Sequence, residues 1–276
     1  MKNCILACVD NSINSIGICD AAIHFAKLLN ADITLLHALE PSSDIIPDLS
    51  GGIHFEVHYE LIEKLLDEEE RQEKKAFKNG KELLKRYEHY CSRLGIATNS
   101  LHLKGDLADL VSEVEKDYKL LIVGKFGESE SGIHTKELIK SVNIPVMIAN
   151  KEFKPIEKVL FAYDGSENLN KALEKSLHHP LFINAERTLL HLGKDNLKSQ
   201  EILLSGKKLF DKFNKEVKLD IINKTTPQDL LDYATKNNSD VIAMGAYSSS
   251  KLMHLFFGSF TNEIIKKSTL PLFIFK

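Results

Sequence analysis

The residues best suited to chemistry lie where an apolar run gives way to glycine. Asp240-Val241-Ile242-Ala243-Met244 stops at Gly245, Ser248 follows after two residues, and Gly258-Ser259 follows after nine more. Phe260 and Thr261 come next. From Thr261 an amphipathic stretch carrying Ile264 and Ile265 runs to the apolar Leu270-Pro271-Leu272-Phe273-Ile274-Phe275. Glycine lets a backbone come close to a ligand, and unpaired N–H groups at a helix start attract an anion. The arrangement therefore offers main-chain phosphate binding. Glycine-rich strand-to-helix turns also serve plain packing, so the chemistry alone leaves both uses open.

Other residue groups have quieter readings. His37 and His191 each close a short apolar run and read as packed, hydrogen-bonded side chains rather than catalytic bases. His54 and His58 are four apart on one helix face, but no third ligand accompanies them, which argues against a metal site. His178-His179 before Pro180 read as a helix end. Cys4, Cys8, Cys19 and Cys91 contain no Cys-x-x-Cys pair and read as reduced core thiols. The run Asp67 to Lys75 belongs to a long helical pattern from about Phe55 to Leu94, and its acids four residues before bases make a solvated face.

The elements that must position the glycine-rich segment are written twice in the chain. Ile5-Leu6-Ala7-Cys8-Val9-Asp10 matches Val159-Leu160-Phe161-Ala162-Tyr163-Asp164, and Ile33-Thr34-Leu35-Leu36-His37 matches Thr188-Leu189-Leu190-His191. Leu120-Leu121-Ile122-Val123-Gly124 then matches Val241-Ile242-Ala243-Met244-Gly245, and Asn143-Ile144-Pro145-Val146-Met147-Ile148 matches Thr269-Leu270-Pro271-Leu272-Phe273-Ile274. Landmarks recurring in one order mark a tandem duplication, with its junction near Asn150 to Pro155. Each half alternates β-type runs with longer helical patterns, which calls for an α/β fold with a parallel sheet covered by helices on both faces. Thr226, Pro227 and Asp229 spell a helix start with a capping box, and Asp106 with Asp109 offers the same in the first half. Asp164, His191-Leu192 and Gly245 fall at strand carboxyl ends, where such sheets bind ligands.

The spacing from Gly245 to Gly258-Ser259 resembles the signature of the ATP-binding universal stress proteins: Gly, two residues, Gly, nine residues, then Gly-Ser or Gly-Thr. Ser248 stands where the family has its second glycine. Both halves resemble domains of this family, as residues 1–150 and 155–276. The resemblance implies two tandem doubly wound domains, each a five-stranded parallel sheet, that pair with each other through their last strands. It implies that Ala162-Tyr163-Asp164 meets the nucleoside, that the Leu192 backbone meets adenine, and that Gly245, Ser248, Gly258, Ser259, Phe260 and Thr261 hold the phosphates of ATP, with or without Mg²⁺. In the first half the loop is five residues shorter than nine, Ile133 replaces the serine, and Glu128 and Glu130 would repel a triphosphate. ATP is therefore expected in the second half only.

Composition narrows the function classes. The 276 residues are 43% apolar, enough for full cores in two domains, and the net charge of −3 gives no general grip on nucleic acid. No apolar run reaches the ~20 residues of a membrane span, and Met1-Lys2-Asn3 leads straight into a strand-like run. A cytoplasmic protein without membrane insertion is expected, and the resemblance adds that two chains can associate. A Gly-Lys-Ser loop, a Mg²⁺ ligand set and a general base are not evident, although Lys251 lies within reach of a phosphate. The leading expectation is a stress-response regulatory protein that binds ATP and is not an enzyme. A slow ATPase and a nucleotide-free dimerising scaffold are the alternatives.

Overall fold

A computed structural model describes residues 3–40, 55–125, 133–246 and 257–276. The first half runs β1 (Cys4–Cys8), α1 (Ser15–Leu29), β2 (Asp32–Leu39), α2 (Phe55–Arg93), β3 (Thr98–Lys104), α3 (Leu107–Val114), β4 (Leu120–Gly124), α4 (Ile133–Ser141) and β5 (Val146–Ala149). The second repeats that order as β6 (Lys158–Ala162), α5 (Glu167–Leu177), β7 (Glu186–Leu192), α6 (Leu197–Lys212), β8 (Lys218–Ile222), α7 (Pro227–Lys236), β9 (Val241–Gly245), α8 (Phe257–Lys267) and β10 (Leu272–Phe275).

The strands form one sheet in the order β3-β2-β1-β4-β5-β10-β9-β6-β7-β8. Within each half every pairing is parallel. The halves meet where β5 and β10 pair antiparallel, in the register Leu272 with Ile148, Phe273 with Met147 and Ile274 with Val146. In each half the strand order reverses between the first and fourth strands, β1 beside β4 and β6 beside β9. Crevices for ligands form at such switch points.

Alternation along the strands feeds two cores. Ile5, Ala7, Met147, Phe273 and Phe275 face one layer, which α1, α2, α5 and α6 cover with Phe25, Leu83, Leu173 and Phe210. Leu6, Cys8, Ile148, Leu272 and Ile274 face the other, covered by α3, α4, α7 and α8 through Val111, Leu138, Leu230 and Ile264. The fold is thus the doubly wound α/β arrangement expected from the alternating pattern. Both cores run across the junction of the halves. Phe25 of α1 lies 6.2 Å from Phe273 and 6.3 Å from Phe182, and Phe182 meets Phe273 edge-on at 5.1 Å. Pairs of this geometry add about 0.5–1.5 kcal/mol each beyond the area they bury.

Lysines tie the halves at helix ends. Lys125, just beyond β4, donates to the Ser268 carbonyl at 2.7 Å, and Lys276, just beyond β10, donates to the Ile139 carbonyl in α4. Each satisfies a carbonyl at the C-terminal end of the other half's helix, where the helix leaves carbonyls unpaired and favours positive charge. Asn150 Nδ2 adds a bond to the Thr269 carbonyl at 2.7 Å.

The helix starts follow the sequence signals. Asp106 accepts from the backbone N–H of Ala108 and Asp109, and Thr226 with Asp229 forms a full capping box. The second helices differ in length: α2 has 39 residues and α6 has 16. At 1.5 Å per residue α2 is about 58 Å long. Glu70 and Lys74 pair at 2.6 Å on its exposed face, as the acid-then-base pattern requires.

Burial lowers the Lys276 ammonium from the ordinary 10.5 to about 8, with the Glu115 charge opposing the shift. Its native value lies below its unfolded value, so between about pH 8 and 10.5 the unfolded chain binds the extra proton and stability rises with pH. Urea unfolding at pH 7 and pH 10 should show this gain, on the order of 1–2 kcal/mol after allowance for the group's partial exposure. The gain should shrink in Lys276→Met; an equal gain in both proteins would contradict the assignment.

Candidate functional site

At the carboxyl end of the β6–β9 switch point the chain brings together most of the described residues singled out by sequence. Ala162 closes β6 opposite Leu190 and Met244. The Tyr163 N–H donates to the Leu190 carbonyl at 2.9 Å, and its buried ring sends its hydroxyl to Asn170 Oδ1 at 2.5 Å, with Ser205 Oγ at 3.3 Å. Burial is the main force raising the Tyr163 hydroxyl above an ordinary tyrosine. Asp164 Oδ1 accepts from the Ser166 N–H at 2.9 Å, and Gly165 between them has φ +74°, which glycine tolerates best. Asp164 therefore turns the chain into α5, where Ser166 caps the helix through the Leu169 N–H.

Neighbouring strand ends complete the rim. Leu192 closes β7 opposite Ile222, and the Gly193 N–H donates to the Ile222 carbonyl at 3.0 Å. His191 Nδ1 lies 2.9 Å from the Tyr163 carbonyl, which can only accept, so Nδ1 carries the proton. His37 makes the same bond to the Val9 carbonyl at 3.0 Å. Both histidines hold strand ends together, as their sequence context suggested. Gly245 ends β9 opposite Phe275, and a Cβ there would meet Leu169 at 3.2 Å.

The helix after the glycine-rich segment is described from Phe257, so Gly258 and Ser259 fall in the first described turn of α8, ahead of the half-buried Phe260 and Thr261. A first turn carries unpaired N–H groups, and this one contains no acidic residue. The residues that are described thus suit an anion at this end of the helix. Ser248 and Lys251 lie outside the described residues.

The equivalent position in the first half holds a cleft. Asp10 Oδ1 accepts from the Ser12 N–H at 2.9 Å and from Ser15 Oγ at 3.0 Å, repeating the turn made by Asp164. A cleft of about 1010 Å³ opens beyond the ends of β1, β2 and β4, bordered by Asp10, His37, Glu40, Arg86 and Gly124. In the second half α6 lies close over the strand ends: a Cβ at Gly206 would come within 2.6 Å of Leu189 and 2.7 Å of the Tyr163 ring. Gly206, Ser205 and Asn170 shape this site, and nothing in their spacing distinguishes them from ordinary helix residues. Residues 126–132, which include Gly127, Glu128 and Glu130, lie outside the described residues. Thr135, the counterpart of Thr261, is buried with its hydroxyl near the Gly124 and Lys125 carbonyls.

His178 caps the end of α5. His54 lies outside the described residues. No group of three metal-ligating side chains occurs among the described residues, and none of their helices is long and apolar enough to cross a membrane.

Comparison with known proteins gives a consistent family. A family model described as the universal stress protein family matches residues 1–150 and 184–276, leaving β6 and α5 between the matched stretches. Universal stress protein Slr1230 of Synechocystis sp. is 27% identical over 288 residues, covering 100% of both chains. The crystal structure of a universal stress protein from Archaeoglobus fulgidus superposes with a TM-score of 0.69 at 20% identity, covering 99% of this chain and 95% of that one. A protein from Pseudomonas aeruginosa described as a putative universal stress protein shares the fold at a TM-score of 0.58 and 12% identity, over 99% and 92% of the two chains.

Tyr163 faces the core beneath α6, so its side chain acts on packing. Tyr163→Phe should lower stability by about 0.5–1.5 kcal/mol, the worth of a hydrogen bond, in urea unfolding. Nucleotide affinity measured by calorimetry should be unchanged. A large loss of affinity with unchanged stability would place the hydroxyl in the ligand site instead.

Proposed function

Because the chain belongs to the universal stress protein family, we propose that it is a stress-response regulatory protein that binds ATP in its 155–276 domain, the 1–150 domain serving as its paired partner. The observation that carries this reading is the placement of Gly258-Ser259 in the first turn of α8, next in sequence to the β9 end that Gly245 closes. Phosphate oxygens bound there gain the helix-start N–H groups and the favourable end of the helix dipole. Ala162, Asp164, Leu192 and the Tyr163 main chain lie on adjacent strand ends and would take the nucleoside, with Ser248 and Thr261 completing the phosphate loop. Mg²⁺ would accompany the triphosphate as its counter-ion. Binding without turnover is the reading taken from the sequence, in which no Gly-Lys-Ser loop occurs; slow hydrolysis is the enzymatic variant of the same pocket. The proposal extends to a cytoplasmic protein that can form a homodimer.

A second reading places the nucleotide in the first half, and the cleft of about 1010 Å³ beside Asp10 favours it. Against it stands a loop five residues short, with Ile133 at the serine position and two added carboxylates. A scaffold that binds no nucleotide is the third.

Titration calorimetry with ATP and Mg²⁺ on Gly258→Glu and Asp10→Ala separates them. Gly258→Glu adds bulk and negative charge at the phosphates and should weaken binding by ~100-fold or more, about 2.7 kcal/mol. Asp10→Ala should bind like the parent. The reverse pattern would move the nucleotide to the first half, and no binding by the parent would leave the scaffold.

A further inference from the structure

Three aromatic rings stack where α2 crosses the edge of the sheet. β3 is the edge strand, and its His102 lies in register with His37 of β2. The two imidazoles stack at 5.2 Å with their planes 23° apart, and Phe77 of α2 stacks on His102 at 4.4 Å and 20°. His37 is held in place by the bond from its Nδ1 to the Val9 carbonyl. Both ring nitrogens of His102, by contrast, are buried and have no hydrogen-bond partner among the described residues. Buried polar groups are nearly always bonded, so an imidazole with neither nitrogen satisfied calls for a reason. Gly80 brings the α2 backbone onto the same rings: a Cβ there would come within 2.4 Å of His102 Nε2 and 2.6 Å of His37 Cδ2. A shift of the rings must therefore move the helix. Ala76, Asn79, Gly80 and Leu83 of this stretch line the first-half cleft together with His37.

We propose that the Phe77–His102–His37 stack is an acid-operated latch: protonation of His102 opens the stack and lifts the 73–82 stretch of α2 from the first-half cleft. A neutral imidazole can sit here on the strength of its ring contacts. A protonated one adds a charge and a second N–H donor, and neither finds an acceptor. The neighbouring charges do not answer it. On β2 the facing group is His37, and on α2 it is Lys81; Glu73 of α2 is engaged by Lys104, two residues along β3. The face of Phe77 would attract a cation, but the Lys81 ammonium already stands over that ring at 4.6 Å. Burial, then the His37 and Lys81 charges, accordingly lower the His102 imidazole below its ordinary 6.5. With the native value below the unfolded one, the stack contributes fully above about pH 6.5 and its contribution is lost as pH falls through the native value. The residue as a whole is only partly buried, so protons reach it without global unfolding.

The packing of α2 confines the response to one stretch. Leu83, Leu84, Tyr87 and Cys91 are buried in the core and anchor the helix beyond Gly80. Through residues 67–79 only Glu73 and Ala76 are not exposed. Residues 73–82 are thus held to the sheet by the ring stack and by the exposed Glu73–Lys104 pair, and exposed pairs contribute little. Loss of the stack frees this stretch while the anchored part stays in place. Because the same residues wall the cleft, acidification widens it, and any ligand of the cleft meets a different site above and below the His102 transition.

The test follows the histidine ring protons of the full chain by NMR as the pH is lowered. Amide hydrogen exchange is then compared at pH 7.5 and at one pH unit below the His102 midpoint, each corrected for intrinsic exchange. His102 should titrate below its ordinary value. Protection of residues 73–82 should fall about tenfold across its midpoint while residues 83–91 keep theirs. His102→Phe preserves an aromatic ring without a titratable nitrogen and should keep the 73–82 protection at the lower pH. A His102 midpoint at or above the ordinary value, an unchanged 73–82 stretch, an equal loss in residues 83–91, or an equal loss in His102→Phe would overturn the proposal. If that variant does not fold, the parent decides: the Gly80 N–H signal should move with the His102 midpoint, and a Gly80 signal that stays still through it would overturn the latch.

Discussion

The antiparallel seam between β5 and β10 is the constraint on which the rest of this structure depends. Three residue pairs join two parallel sheets into one of ten strands. Without that seam each half would present its last strand as an open edge, with unpaired N–H and carbonyl groups and half-covered apolar faces. Phe273 shows the coupling: its backbone pairs with Met147 while its ring packs on Phe25 and Phe182, so strand register and core packing fix each other. The lysine and asparagine bonds to opposing helix ends then hold the layers above and below the seam.

The seam also governs the sites. Because β5 and β10 run in opposite directions, the carboxyl ends of β1 and β4 lie at the opposite edge of the sheet from those of β6 and β9. The duplicated crevices therefore cannot merge into one pocket, and each half has been free to change its own. Their floors remain alike: an aspartate turn, a histidine bonded to the preceding strand's carbonyl, a glycine closing the fourth strand. Above them, α6 approaches closely at Gly206 and covers Tyr163, while α2 approaches His37 and His102 as closely at Gly80 and borders the first-half cleft.

Much of this was legible in the sequence. Strand runs of alternating destination, the repeated aspartate and histidine landmarks, and the Thr226–Asp229 cap are local patterns, and local patterns survive in a linear reading. The Gly206 approach and the Lys125 and Lys276 bonds were not legible at all. Each depends on how two separate elements pack, and a lysine beyond a strand has the same local sequence whether or not a distant partner meets it. In the candidate site, the strand-end residues could be found from pattern, while the residues that shape the space above them could not.

The claim that one half of a duplicated scaffold holds ATP is tested most directly on the protein as purified. The chain is denatured, and released nucleotide is identified and counted by chromatography and mass spectrometry; the emptied protein is then refilled with ATP and Mg²⁺. The account predicts one adenine nucleotide per chain, regained to the same level on refilling. Two per chain would contradict the loss of the first-half site, and none released or regained would contradict nucleotide binding itself.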